Sequence, residues 1–250
     1  MNKISRSDIY KLLFTISVAI ALTLLGCGGG GSGTGRQTLP GENPTGPIVI
    51  PGTQTQTQTQ TQTQTATGTE ILTPAEKIAM GWKLMNDGNF GGAISYFSNT
   101  LNDAKADVAQ RQQAYNGRGW AKVHYYNTID GLDDFKASYQ IGDVHHSSYM
   151  ESILGYALAL IQASGDVNFD RAIQLLANEL KLSDPQFLLG VEHTCIGVSS
   201  PEAHAMLAYA YFWRGHEAEA KLQIESARND DPSTTGTVYQ VYQTLKAAGM

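Results

Sequence analysis

Cysteine is nearly absent: the 250 residues hold only Cys27 and Cys195. That excludes a disulfide framework, so a folded domain must be held by its core alone. Basic residues are few and scattered, with 17 Lys and Arg against 23 Asp and Glu, a formal charge of −6. No basic stripe or cluster offers the footprint of a nucleic-acid binder, and an acidic surface argues against direct adsorption to anionic headgroups. Apolar runs stay short of the roughly 20 residues a transmembrane helix needs. Half of the eight prolines, Pro40, Pro44, Pro47 and Pro51, fall in one short stretch, which separates that stretch from the rest.

What is present begins at the N-terminus. Lys3, Arg6 and Lys11 form a positive region, and residues 12–25 form an apolar one, too short to span a bilayer but suited to a secretory signal. The run Leu24-Leu25-Gly26-Cys27 closes it. These residues resemble a bacterial lipobox: an aliphatic residue, a variable one, a small one for the peptidase, then the cysteine whose thiol takes the lipid. The resemblance implies that residues 1–26 are removed and that Cys27 becomes a lipidated N-terminus. An ordinary signal peptide with a chance cysteine is the alternative. Cleavage would remove three basic groups and Asp8, leaving 14 basic and 22 acidic residues and a charge near −8. Gly28 rather than Asp follows Cys27, which in a two-membrane cell favours the outer membrane, facing the periplasm.

Residues 27–72 read as a tether. Four glycines follow Cys27, Thr and Gln alternate from Thr53 to Thr65, and Arg36 and Glu42 are the only charges between Gly28 and Thr69. Too few apolar residues are present to offset ordering entropy. A flexible chain of this length has an r.m.s. span of roughly 40 Å. The Thr-Gln alternation is also a β-type pattern capable of self-association.

Residues 73–250 read as all-α, since apolar residues recur three and four apart. An internal repeat is marked by a small residue followed by an aromatic one: Gly81-Trp82, Gly119-Trp120, Gly155-Tyr156 and Ala208-Tyr209. A second helix follows each mark, with Gly88, Ala93 and Phe97, then Gly131 and Phe135, then Phe169, Ala172 and Leu176, then Gly215, Ala220, Ile224, Ala227 and Pro232. This pattern resembles the tetratricopeptide repeat, a helix–turn–helix unit of 34 residues. The resemblance implies a helical-hairpin solenoid of about four units, in which small residues allow close helix approach and the aromatic fills the space between units. The second unit lacks the turn glycine, and the third needs extra residues in its turn around Ser164-Gly165-Asp166. Residues 186–200 form an insertion expected to tuck against the third unit. Val238, Val241, Tyr242 and Leu245 mark a capping helix that covers the last apolar face.

Candidate chemistry is sparse. His193 and Cys195 stand two apart without a partner pair, so a loop thiol is a better reading than a nucleophile or metal site. Asp143 with His145-His146 is a weak metal candidate. Asp130, Asp133 and Asp134 fall at the start of a second helix, where acids suit the helix dipole. Gly117-Arg118-Gly119 lies inside a helix and is no phosphate loop. No cofactor, metal, catalytic residue or small-molecule substrate is expected.

The repeat resemblance places the residue after each mark on the concave face. Trp82, Trp120, Tyr156 and Tyr209 then line one row, continued by Met85, Val123, His124, Leu160, Phe212 and Trp213. Such a row suits a protein partner's apolar segment, because aromatics anchor interfaces. Core packing of the superhelix explains the same row equally well. Ile78, Asn116, Ser152 and Ala205 stand where carboxylate-clamp repeats carry Lys and Asn, so a C-terminal carboxylate is not the expected ligand. The expected function is an envelope adaptor or assembly factor, anchored to the membrane through its lipid, that binds a protein partner in its groove. A structural subunit using its outer face is the alternative, and an enzyme is a distant third.

Overall fold

A computed structural model describes residues 72–142 and 147–250. The signal, Cys27, most of the tether, Asp143 and His145-His146 lie outside the described residues. All regular structure among the described residues is helical: α1 (Pro74–Asn86), α2 (Phe90–Leu101), α3 (Val108–Tyr125), a 3-10 turn (Thr128–Gly131), α4 (Leu132–Ile141), α5 (Ser147–Ala163), α6 (Asp166–Ile173), a π-helical segment (Gln174–Glu179), a 3-10 turn (Thr194–Ile196), α7 (Ser200–Trp213), α8 (Glu217–Asp230) and α9 (Gly236–Ala247). None of these helices is long and apolar enough to cross a membrane.

Local chemistry sets the helix ends. Thr73 with Glu76, Asp107 with Gln110 and Ser199 with Glu202 each form a reciprocal capping box at the start of α1, α3 and α7. Gly88 and Gly215 turn the chain between α1 and α2 and between α7 and α8, with φ of 74° and 80°. Side chains rarely tolerate that left-handed backbone, so glycine is the residue of choice.

Each helix packs on the next in sequence, and α1, α3, α5, α7 and α9 also pack on one another as a row. The closest approaches are glycine against phenylalanine. Phe97 of α2 lies between Gly81 of α1 and Gly117 of α3; a Cβ at Gly81 would sit 2.6 Å from its ring, and one at Gly117 closer still. Phe135 of α4 is held in the same way by Gly119 of α3, Gly155 of α5 and Gly131. Both rings are completely buried. Farther along, alanines stand at the corresponding small positions: Ala172, Ala208, Ala220 and Ala227 are fully buried, as are Leu176 and Ile224. Val238, Val241 and Leu245 of α9 are buried against α7 and α8, while Arg228 lies 3.9 Å above the Tyr242 ring.

The third hairpin departs from expectation in two ways. Its additional residues lengthen the helix rather than the turn, since α5 runs eight residues past Gly155 where α1 and α7 run five past Gly81 and Ala208. Ala172 and Leu176 also do not share one regular helix. The α-helix stops at Ile173 and widens to π-helical geometry through Glu179.

Asp130 falls in the 3-10 turn, and Asp133 and Asp134 fall in the first turn of α4. Asp134 is buried and takes both oxygens to Arg118, with Lys122 Nζ 2.8 Å away. It is a structural ion-pair hub between α3 and α4, because a buried carboxylate needs such partners.

Candidate functional site: a row of helices and the strap across it

The row α1–α3–α5–α7 carries every residue expected in the groove. Trp82, Met85, Trp120, His124, Leu160 and Tyr209 are each at most 7% exposed, while Tyr156, Phe212 and Trp213 are half-buried. Trp120 is wholly enclosed, edge-on to Phe135 at 5.1 Å between centroids. Tyr209 meets Phe169 and Trp213 edge-on, and burial pushes its hydroxyl well above the usual tyrosine range. These side chains therefore belong largely to the packed interior and do not line an open cleft.

The insertion between α6 and α7 explains part of that enclosure. It reaches far beyond the third hairpin, touching α1, α3, α5 and α7. Along residues 187–195 exposure alternates residue by residue: Phe187, Leu189, Val191, His193 and Cys195 are half-buried, while Leu188, Gly190, Glu192 and Thr194 are exposed. Period-two burial is the signature of an extended segment lying on a surface, here running to His193 and ending in the 3-10 turn at Thr194–Ile196. Phe187, Leu189, Val191 and Cys195 all pack on the main core.

Glu151 of α5 is the centre of the docking. It is wholly buried, yet it accepts hydrogen bonds from the backbone N–H of Glu192 at 3.0 Å and of His193 at 2.8 Å, and from Asn116 Nδ2 at 2.8 Å. His193 Nδ1 lies 2.9 Å from Oε2, the oxygen that Asn116 also uses, and 3.1 Å from Oε1, the one that takes both N–H groups. The same imidazole stacks flat on Trp82, with centroids 3.6 Å apart and planes 8° from parallel. A buried carboxylate is tolerable only when its lone pairs are met, and here the strap meets most of them.

Two more histidines meet the strap. The His124 ring faces the backbone at Cys195 and Ile196, which favours its charged form, and stacks on Phe90 at 4.8 Å. Burial holds its pKa below the ordinary histidine value, and that backbone opposes the shift. The buried His204 places Nε2 at 2.9 Å from the Phe187 carbonyl and Nδ1 at 2.6 Å from Gln223 Oε1. Gln223 Nε2 in turn donates to the Leu182 carbonyl at 2.9 Å, and Ser226 Oγ to that of Pro185. Leu189 N–H donates to Ser200 Oγ.

Along α3 the buried Asn116 Oδ1, Trp120 Nε1 and His124 Nε2 stand four residues apart with no hydrogen-bonding partner among the described residues. Of the four positions compared with a carboxylate clamp, Asn116 is spent on Glu151. Ser152 bonds Ser138 and the Ser148 carbonyl, and Ile78 and Ala205 are buried in the core. No group of three or more metal-ligating side chains occurs among the described residues.

Glu151 was not singled out from sequence; the insertion was, but as a segment tucked against the third unit, without its extended form or its contacts with α1, α3 and α7. Glu151 is the one charged residue in α5. Phe187, Leu189, Val191 and His193 alternate with other residues as an extended segment should, but Leu188 interrupts the pattern, being apolar and 73% exposed. Comparison with known proteins adds nothing to this geometry: no protein-family model, curated protein or solved structure matches the chain.

Proposed function

We propose that this chain is a lipid-anchored adaptor of the cell envelope, built as a solenoid of about four tetratricopeptide-like hairpins. The hairpins are α1–α2, α3–α4, α5–α6 and α7–α8, and α9 caps the end. The observation that carries the reading is the inner row of helices holding an extended segment with alternate side chains turned down. Recognition of an extended peptide uses the same means, backbone hydrogen bonds for affinity and alternate side-chain sites for specificity. The repeated glycine–phenylalanine contacts around Phe97 and Phe135 support the repeat part of the reading. The lipobox-like run ending at Cys27 supports the anchor on the exported side, with the tether giving the domain reach. The partner is a protein, and no enzymatic step, cofactor or nucleic acid is assigned.

A structural-subunit reading has one observation of its own. Tyr125, Tyr126 and Ile129 are 55%, 64% and 41% exposed at the end of α3, and such an apolar corner suits contact with a neighbour. Crosslinking in cells with mass spectrometry of the captured partner separates the two. Phe212→Ala with Trp213→Ala should lose the partner if the inner face binds it. Tyr125→Ser with Tyr126→Ser should lose it if the corner does. Capture of no protein by any form would sink both readings. Cys27→Ala should leave the protein unprocessed or move it out of the membrane fraction, and a mature chain with an unmodified Cys27 would remove the anchor.

A further inference from the structure

We propose that residues 187–195 are an exchangeable internal ligand: they fill a site for extended peptide on the inner face, and a partner segment of the same pattern displaces them. The existence of a partner rests on the adaptor reading; the site and its internal occupant do not. The chemistry of the strap defines what fits. A displacing segment is extended, presents apolar side chains at alternate positions as Phe187, Leu189 and Val191 do, and carries a flat ring at the fourth inward position for the face of Trp82. It has free backbone N–H groups, hence no proline, at the two positions that meet Glu151.

Three features separate an exchangeable ligand from a loop that fills a core. The first is where the strap is anchored. Leu182 and Ile196 are completely buried, yet none of the thirteen side chains between them is. The ends are fixed by apolar burial, and the middle lies on the surface of the inner face. The second is the kind of bond used. Glu151 takes the backbone N–H of residues 192 and 193, groups that almost any peptide supplies. The third is the buried Glu151 itself. Without the strap its carboxylate keeps, of the partners found among the described residues, only Asn116, so the site favours exchange of one donor segment for another over simple opening.

The test uses the full-length chain in mild detergent and a fluorescent synthetic peptide of residues 187–195 carrying C195S. In one variant, residues 186–195 are replaced by a Gly-Ser linker of equal length. The peptide should bind this variant at least tenfold more tightly than the unaltered chain. Adding Glu151→Gln should weaken that binding at least tenfold, and a scrambled peptide should not bind. A folded linker variant that ignores the peptide, or equal binding to both chains, overturns the proposal. Should the linker variant fail to fold, native-state hydrogen exchange on the unaltered chain decides. Exchange of the Glu192 and His193 amides well ahead of α3 and α5 supports a strap that lifts by itself; exchange only together with those helices overturns it. Partner capture in cells is a separate readout, so loss of the adaptor reading and loss of the exchangeable strap are distinguishable.

Discussion

The rings of Phe97 and Phe135 and the strap over Glu151 are held by different forces. The two phenylalanines have no polar partner and are fixed by shape, each filling a slot that glycines on neighbouring helices leave open. The strap is fixed mainly by direction. Its backbone is bonded to Glu151 and His204, and its side chains are at most half-buried. Shape contacts of the first kind are cooperative with the fold, because removing the ring leaves a void that rigid helices cannot close. Directional contacts of the second kind can fail while the helices stand. The contrast predicts global damage at the first site and local damage at the second.

The largest effect should come from Phe135→Ala. Its ring meets Gly119, Gly131 and Gly155 at once, so three backbones border the void. A loss of about 3–5 kcal/mol is expected, and a fall in melting temperature on the order of 10 °C follows for a domain of this size. Trp120→Ala should behave in the same way, since that ring is wholly buried against Phe135. A Trp120→Ala protein with unchanged melting temperature would break the comparison, because the indole would then be a binding surface rather than interior. Thermal unfolding followed by circular dichroism gives the answer.

The same contrast explains what sequence could reveal. Shape contacts leave a periodic trace: Gly81, Gly119 and Gly155 recur at nearly constant spacing, and Phe97 and Phe135 follow at matching distances. The all-helical class and most helix positions were legible from that trace. The terminal helix was legible as well, because Val238, Val241 and Leu245 share one face. The strap leaves no periodic trace at helix spacing, and its anchor Glu151 is distant in sequence from residues 192 and 193. A hydrogen bond to a backbone N–H carries no residue identity, so the docking could not be read from residue types. The row of Trp82, Trp120, Tyr156 and Tyr209 was legible as a row but not as open or closed, since aromatics at helical spacing serve cores and grooves alike. The π-helical end of the third hairpin was hidden for a related reason: Phe169, Ala172 and Leu176 fit a regular helix as well as a widened one.

Next in size is Glu151→Ala. The change leaves the N–H groups of Glu192 and His193 and the amide of Asn116 without their acceptor. Each unmet buried group costs about 1–3 kcal/mol; water reaching a loosened strap would recover part, so a net loss of about 3 kcal/mol is expected. The loss should be local. Limited proteolysis should cut within residues 186–195 while α1 to α5 keep their helical signal. Cooperative loss of all helices at the same denaturant concentration, with no early cleavage, would mean the strap is part of the core after all.

His193→Ala should have a smaller effect. It removes the stack on Trp82 and the imidazole contact with Glu151 but keeps both backbone bonds. A flat ring pair and one such hydrogen bond together are worth about 1–3 kcal/mol. Trp82 fluorescence should change as the imidazole leaves its face. His193→Phe should restore the stack and part of the stability, whereas His193→Gln should restore neither ring contact nor fluorescence. Equal behaviour of the Phe and Gln variants would show that stacking contributes nothing to docking.

The smallest expected effect is a pH dependence that originates at His124. Burial depresses its folded-state pKa below the ordinary 6.5, and the backbone at Cys195 and Ile196 limits the depression. The unfolded chain then takes up the proton first as pH falls. Stability contributed by the neutral ring is complete above about 6.5 and is lost as pH drops from there through the folded-state value. His124→Gln keeps a donor for the strap backbone but cannot titrate. Melting temperatures of the two proteins, measured from pH 7.5 to 5, should therefore run parallel at the upper end, with the wild type falling more steeply below about 6.5. The comparison of slopes isolates His124 from the other histidines, which both proteins share. A steeper fall in the His124→Gln protein would reverse the sign and show that the ring is better accommodated charged. The strap would then tighten on acidification at this contact, and the division between a fixed helical frame and a separately held strap would need an electrostatic term of the opposite sense.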